Sequence, residues 1–155
     1  MFRDTRLVTF LRRPMDQPPV RFYERLEPAV FVLRLVPGMR ADIIPLLAPH
    51  YRALVLESFG VGGLPGGEHG EMFAALRRWC ESGRLAVFTT QVPHEGCDLA
   101  VYEVGRAVGE LPGVLEARDM TPEAVAVKLM WALGQTGDRE KAAWLFETPI
   151  EYDIM

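Results

Sequence analysis

The stretch "TTQVPHEG" (89–96) sets two hydroxyls, an amide, an imidazole and a carboxylate within eight residues. A set this dense and polar suits a pocket for a small polar ligand. Thr89, Thr90 or Ser58 would act as a nucleophile only beside an oriented base. His94 is the available base, yet it lies past a proline with nothing in the sequence to orient it. Loop polarity and a hydrogen-bonded strand end account for the same residues without chemistry. Taken alone they indicate a polar ligand pocket and nothing more specific.

The second candidate is "LVLESFGVGGLP" (54–65), an apolar run that stops at a glycine-rich loop, as many phosphate-binding loops begin. A P-loop needs GxxxxGK[ST], and no Lys-Ser or Lys-Thr follows Gly67. A dinucleotide fingerprint needs GxGxxG running directly into a helix. Gly60 and Gly62 fit, but Leu64-Pro65 and further glycines delay the helix to about residue 70. The glycines therefore read as a connection requiring positive φ and close backbone approach. Cys80 and Cys97 belong to no CxxC or Cys/His cluster, so no metal site is expected and both read as reduced thiols. Nothing beside Cys97 acts to lower its pKa. No cofactor is expected. Glu103 and Arg106 read as solvated or ion-paired helix residues, Trp79, Trp131 and Trp144 as core, and His50 and His69 receive no role.

These residues need elements to hold them. "AVFVLRL" (29–35), "RALVLESF" (52–59) and "RLAVFTTQ" (84–91) are near-continuous apolar runs, the pattern of parallel strands buried on both faces. "GVLEARDM" (113–120) reads as a short fourth strand. Between them, "RADIIPLLAPHY" reads as a short helix and "GEMFAALRRWCESG" (70–83) as an amphipathic one. The latter has Met72, Phe73, Leu76, Trp79 and Cys80 on one face and Gly83 as its stop. "LAVYEVGRAV" reads as a helix starting behind Asp98 as its cap. "TPEAVAVKLMWALGQ" opens with Thr121 as N-cap and Pro122 at the first helical position, with Val125, Leu129, Trp131, Ala132 and Leu133 as its apolar body. "DREKAAWLFE" closes the chain as a last helix.

The alternation predicts an α/β fold: three-layer, doubly wound, a mostly parallel four-stranded sheet flanked by helices, Rossmann- or flavodoxin-like. Ligands in such folds gather beyond the carboxyl ends of the strands, here loops 36–39, 58–67 and 91–98. Residues 1–28 hold four of the twelve prolines and read as an extended, linker-like segment before a domain of residues 29–155. Within that segment "RLVTFL" is either an edge strand or the end of something larger.

The chain has 155 residues, enough for one domain with a real core. It is 49% hydrophobic and 25% charged, with a formal net charge of -4. Apart from Arg12–Arg13 and Arg77–Arg78 its arginines are scattered, so neither nucleic acid nor an anionic membrane is expected as a partner. No run approaches the roughly eighteen apolar residues that span a bilayer. "MFRDTRLVTFLRRP" lacks a secretory apolar region followed by small residues, so a cytoplasmic location is expected.

Read together, "VLRLVPGM", "LVLESFGVGGLP", "VFTTQVPHEGCDLAVYEVGR" and "ARDMTPEAVAVKLMWALGQT" resemble, in order and spacing, the C-terminal domain of type I (cytoplasmic-type) L-asparaginases. The resemblance covers roughly residues 20 to 150. It implies an amidohydrolase that converts L-asparagine to L-aspartate and ammonia through a covalent acyl-enzyme. In that family the nucleophilic threonine, a second threonine, an Asp–Lys pair and an activating tyrosine sit in a larger N-terminal domain. Its TGGT and TD motifs do not occur in these 155 residues. The chain is thus expected to be the C-terminal part of a longer enzyme or a stand-alone relic, without catalytic residues and inactive alone.

The partners implied are the N-terminal catalytic domain, a second copy in a homo-oligomer, and asparagine as a small amino-acid substrate. The domain would form the dimer interface and complete a neighbouring subunit's active site. Candidate substrate-binding residues are Ser58, Gly62, Gly63, Thr89, Thr90 and Glu95. Gly63 stands where relatives often carry asparagine, so its contribution is main-chain only. Glu95 is the candidate for an acidic residue lent by the loop after the third strand. Some bacterial type I enzymes also bind asparagine at an allosteric pocket through an arginine and a cysteine. Those positions are Glu57 and Val92 here, which argues against that pocket working in the same way. Two other readings stand beside this one: a non-catalytic module binding a small amino-acid ligand, and part of an asparaginase-like transamidation subunit. An exposed apolar patch is expected where a partner domain docks.

Overall fold

Strands buried on both faces read as near-continuous apolar runs, and "ALVLES" and "LAVFTT" become the two central strands of a parallel sheet. The structure is a computed structural model that describes residues 2–3, 6–7, 19–67, 69–92, 96–151 and 153–154. A short antiparallel pair, β1 (Phe2–Arg3) and β2 (Arg6–Leu7), comes first. The main sheet follows: β3 (Val30–Arg34), β4 (Ala53–Ser58), β5 (Leu85–Thr90) and β6 (Val114–Glu116), in that spatial order and all parallel. Helices α1 (Ile43–Leu47), α2 (Glu71–Glu81) and α3 (Glu103–Gly109) cross between successive strands, and α4 (Pro122–Gln135) and α5 (Arg139–Glu147) follow β6.

The alternation of side chains along the strands divides the core in two. Leu33, Leu54, Leu56, Ala86 and Phe88 meet α1, α2 and α3 on one face. Val30, Val55, Leu85, Val87 and Leu115 meet α4 and α5 on the other. The result is the expected three-layer α/β arrangement, with four parallel strands and helices on both faces. Leu56 and Phe88, paired in register and fully buried, each contribute about 1.5–3 kcal/mol by leaving water.

The signals read for α2 and α4 act as expected, and α5 adds a cap of its own. The apolar face of α2, Met72, Phe73, Leu76, Trp79 and Cys80, is buried, and the Trp79 indole donates to the Leu85 carbonyl at 2.9 Å. Gly83, at φ +87°, ends that turn. The Thr121 hydroxyl accepts from Ala124 N–H ahead of Pro122, and Asp138 caps α5 by accepting from Lys141 N–H at 2.9 Å.

Three expectations fail, each for a local reason. The helix read from Asp98 begins only at Glu103, because the Asp98 carboxylate accepts from Ala100 N–H at 2.9 Å and closes a turn instead. β3 is not buried on both faces: it forms the sheet edge, and Val32 is 40% exposed. Trp144 is not core but 61% exposed, since α5 turns Ala142 and Phe146 inward. Trp131 is half-buried, edge-on to Tyr23 with ring centroids 5.3 Å apart. Of "RLVTFL", Arg6–Leu7 pairs with Phe2–Arg3, and residues 8–11 lie outside the described residues.

Residues 19–29 form neither helix nor strand but lie along α4. Glu27 N–H donates to Met130 O at 2.9 Å, and the Gln135 amide to Arg25 O at 2.9 Å. A Cβ at Gly134 would stand 2.5 Å from the Arg25 carbonyl oxygen, so this close approach requires glycine. The segment leaves Val20, Phe22 and Leu26 exposed. No helix among the described residues is long and apolar enough to cross a membrane.

The chain end is fastened by a buried cation. Lys128 Nζ lies 2.8 Å from the Asp153 carboxylate and donates to Thr148 O at 3.0 Å, with its side chain 5% exposed. Removing the carboxylate strands that charge, whereas removing the lysine removes the demand for a partner. Urea unfolding should therefore show Asp153→Ala costing about 3 kcal/mol and Lys128→Met markedly less. Equal losses would mean that the pair acts only through packing.

Candidate functional site

The carboxyl ends of β4 and β5 lie side by side, with Glu57 opposite Thr89 and Ser58 opposite Thr90. Because successive residues face opposite ways, Ser58 and Thr90 turn toward the α1–α3 layer and Thr89 toward the α4–α5 layer. All three are buried. Ser58 Oγ donates to Thr89 O at 2.8 Å. Thr90 Oγ1 donates to Gly60 O and accepts from Val92 N–H at 3.0 Å. Thr89 Oγ1 has no hydrogen-bond partner among the described residues. The Ser58 and Thr90 hydroxyls are thus engaged with main-chain groups of the neighbouring strand and loops.

The glycine loop closes on itself. Gly62 and Gly63 N–H both donate to Phe59 O, at 3.2 and 2.8 Å, and Phe59 N–H donates to Gly63 O at 3.2 Å. Two of the loop's N–H groups, those of Gly62 and Gly63, are thus spent on Phe59 O. The glycine loop's contact is with the loop after β5. Asp98 N–H donates to Val61 O at 3.0 Å, and a Cβ at Gly62 would stand 2.8 Å from the end of the Leu99 side chain. The glycine thus lets two candidate loops touch. Cys97 N–H in turn donates to Arg118 O at 2.7 Å, which ties the same loop to the strand end of β6.

Electrostatics under these loops are acidic. Burial, then the neighbouring Asp98, raises the Glu116 carboxyl above its ordinary value, with Glu147 adding to the effect. The Leu99 N–H it accepts and the Arg118 guanidinium pull the other way. Burial pushes the Cys97 thiol up to about 12, with Glu116 and Asp98 adding and the Ser58 hydroxyl opposing. Burial likewise raises Cys80 to about 11. Both thiols stay protonated and inert at neutral pH. Among the described residues no group of three or more His, Cys, Asp or Glu is placed to hold a metal ion.

On the α4 side of the strand ends lies a cleft of about 340 Å³, bordered by Arg34, Glu57, Thr90, Gln91, Val92 and the start of α4. Glu57 sits 3.7 Å from Arg34. Gln91 is the residue that sequence reasoning counted only as one more polar group. Its amide donates to Leu35 O at 2.7 Å and Glu57 O at 2.8 Å, joining the ends of β3, β4 and β5. Glu116 was missed altogether; a lone charge ending a short strand was its only signal. Ser58, Gly62, Gly63, Thr89 and Thr90 are gathered at one end of the sheet, while Glu95 lies outside the described residues.

Thr89 and Glu116 each give a measurable consequence. Thr89→Val deletes a hydroxyl that bonds nothing among the described residues, and chemical denaturation should show no loss of stability and a gain of up to about 1 kcal/mol. A clear loss would reveal a partner for that hydroxyl. Because the folded-state pKa of Glu116 is raised, its contribution favours folding below the ordinary value of 4.5 and is lost as pH rises through the folded value. Glu116→Gln should therefore melt higher than the parent at neutral pH, with the two curves converging in acid. A constant gap across that range would contradict the assignment.

Residues 29–146 match the glutaminase/asparaginase C-terminal domain. An L-asparaginase of Thermococcus kodakarensis is 38% identical over 133 residues, covering 86% of this chain and 40% of that protein. A glutamyl-tRNA(Gln) amidotransferase component from Metallosphaera sedula is 36% identical over 123 residues, covering 79% of this chain and 27% of that one. Among solved structures, the thermostable L-asparaginase of Thermococcus kodakarensis superposes with a TM-score of 0.77 at 35% identity, over 91% of this chain and 44% of that chain. L-asparaginase I of Vibrio cholerae gives 0.72 at 27% identity, over 83% and 38%. The chain thus spans less than half the length of these relatives. Four parallel strands in the same arrangement, and a match across most of the sequence, make this chain a member of the glutaminase/asparaginase C-terminal domain family.

Proposed function

We propose that this chain is the non-catalytic part of a cytoplasmic L-asparaginase-like amidohydrolase, forming a homodimer and completing an active site whose nucleophile lies in a separate N-terminal domain. The observation that carries this reading is the match of residues 29–146 to the C-terminal domain, in a chain that spans less than half the length of its relatives. Ser58 and Thr90 support the loops from within, and Thr89 lies beside them at the end of β5. Gly62 and Gly63 present main chain, and Glu95 supplies the acidic group on the substrate side. The exposed Val20, Phe22 and Leu26 are where the N-terminal domain would rest.

A second reading is favoured by one observation, the 36% identity to the amidotransferase component. In it the same chain serves a transamidation enzyme, acting on an amide carried by another component. Combining the purified chain with an asparaginase N-terminal half and measuring ammonia from free asparagine separates the possibilities. The expected result is no ammonia from either part and release from the verified complex. A verified complex that stays silent counts against the first reading, and one that accepts only a carried amide selects the second.

A further inference from the structure

We propose that the amino-terminal end of the sheet holds a binding site for a phosphate-type oxyanion, lined by Arg52, Arg84 and Arg139. These arginines are distant in sequence, and the fold brings them around one cleft of about 340 Å³ together with His50. The chain carries a formal net charge of -4, so a cluster of this sign runs against its overall balance. Among the described residues lining the cleft, Asp138 is the one carboxylate, and its Oδ1 is committed to Lys141 N–H at 2.9 Å.

What holds each arginine determines what it has left to give. Arg52 is partly neutralised by Glu27 at 2.9 Å. Arg84 donates to Tyr51 O, Ala48 O and Ser82 Oγ and lies over the Trp79 ring, so it is fixed in place by neutral groups. Capping the carbonyls at the end of α1 explains that residue without a ligand. It does not explain Arg139. A guanidinium carries five N–H donors, and that of Arg139 places one on Cys80 O at 3.3 Å. Arg139 is also the first residue of α5, where the helix dipole already presents positive charge and a cation is disfavoured. A cation held at a helix start, lining one cleft with a second fixed guanidinium, gains most from an anion that several N–H groups can share. Phosphate oxygens match the guanidinium fork.

The site lies at the end of the sheet opposite the candidate functional loops, so it is separate from the proposed amidohydrolase role. The test is titration of the intact chain with inorganic phosphate, followed by amide shifts at Gly83, Arg84 and Gly137 and by melting temperature. The expected result is a saturable response that chloride at matched ionic strength does not reproduce, weakened roughly tenfold in Arg139→Gln. Arg52→Gln, which leaves the bonds of Arg84 untouched, should weaken it as well and guards against misfolding of the first variant. An identical response to chloride, or full affinity in both folded variants, overturns the proposal. So does binding confined to a long single-stranded RNA, because that would be a diffuse electrostatic surface and not a site.

Discussion

A parallel strand can be followed by another only through a crossover, and right-handed crossovers stepping in one direction put their helices on one face. The remaining architecture follows from that constraint. With strand order β3-β4-β5-β6, helices α1, α2 and α3 share a face, and Val55 and Val87 on the other would be left in water. The chain must therefore return after β6 and lay α4 and α5 across them. Because the strand order never reverses, no two neighbouring strands diverge to open the crevice in which doubly wound sheets hold ligands. A ligand at this sheet must be enclosed by loops and by whatever docks against them. A domain found as less than half of its relatives' length fits that requirement.

The polar side chains at the carboxyl ends bear the same mark. Ser58, Thr90 and Gln91 direct their hydrogen bonds to main-chain carbonyls of neighbouring strands and loops. They fasten the strand ends to one another and to the loops beyond them. Two groups depart from this pattern: the Thr89 hydroxyl, which bonds nothing among the described residues, and the carboxyl of Glu116, held among acids where burial disfavours its charge. Groups kept in unfavourable surroundings gather at functional sites more often than elsewhere. Both lie under the loops that follow β4 and β5.

Much of the fold was legible because periodicity reports burial. "ALVLES" and "LAVFTT" read as buried parallel strands, and Thr121-Pro122 marked the start of α4 as well as any cap can. What escaped was neighbourhood. Val32 has the same apolar character as Val55, and only strand order shows that one lies at an edge. Trp144 is large and apolar, but its place on α5 relative to Phe146 turns it outward. Asp98 had the right type for a cap, and its carboxylate instead found Ala100 N–H. The site was legible as a set of loops but not as a set of roles, because a hydroxyl in sequence does not reveal that a carbonyl already occupies it.

The net charge hides a polarised molecule. Glu57, Asp98, Glu116, Asp119 and Glu123, with Arg34 and Arg118 among them, collect toward the carboxyl ends of the strands, and Arg52, Arg84 and Arg139, with Glu27 and Asp138, toward the amino ends. Crossover helices running antiparallel to their strands end at the amino side, where their terminal carbonyls favour cations. That explains Arg84 against Ala48 O and part of the asymmetry. Over distances within a Debye length of about 8 Å, the acidic end favours cations. The arginine end attracts an oxyanion. Two ligands of opposite charge can thus be sorted to opposite ends of one sheet by its electrostatics, before any specific hydrogen bond forms.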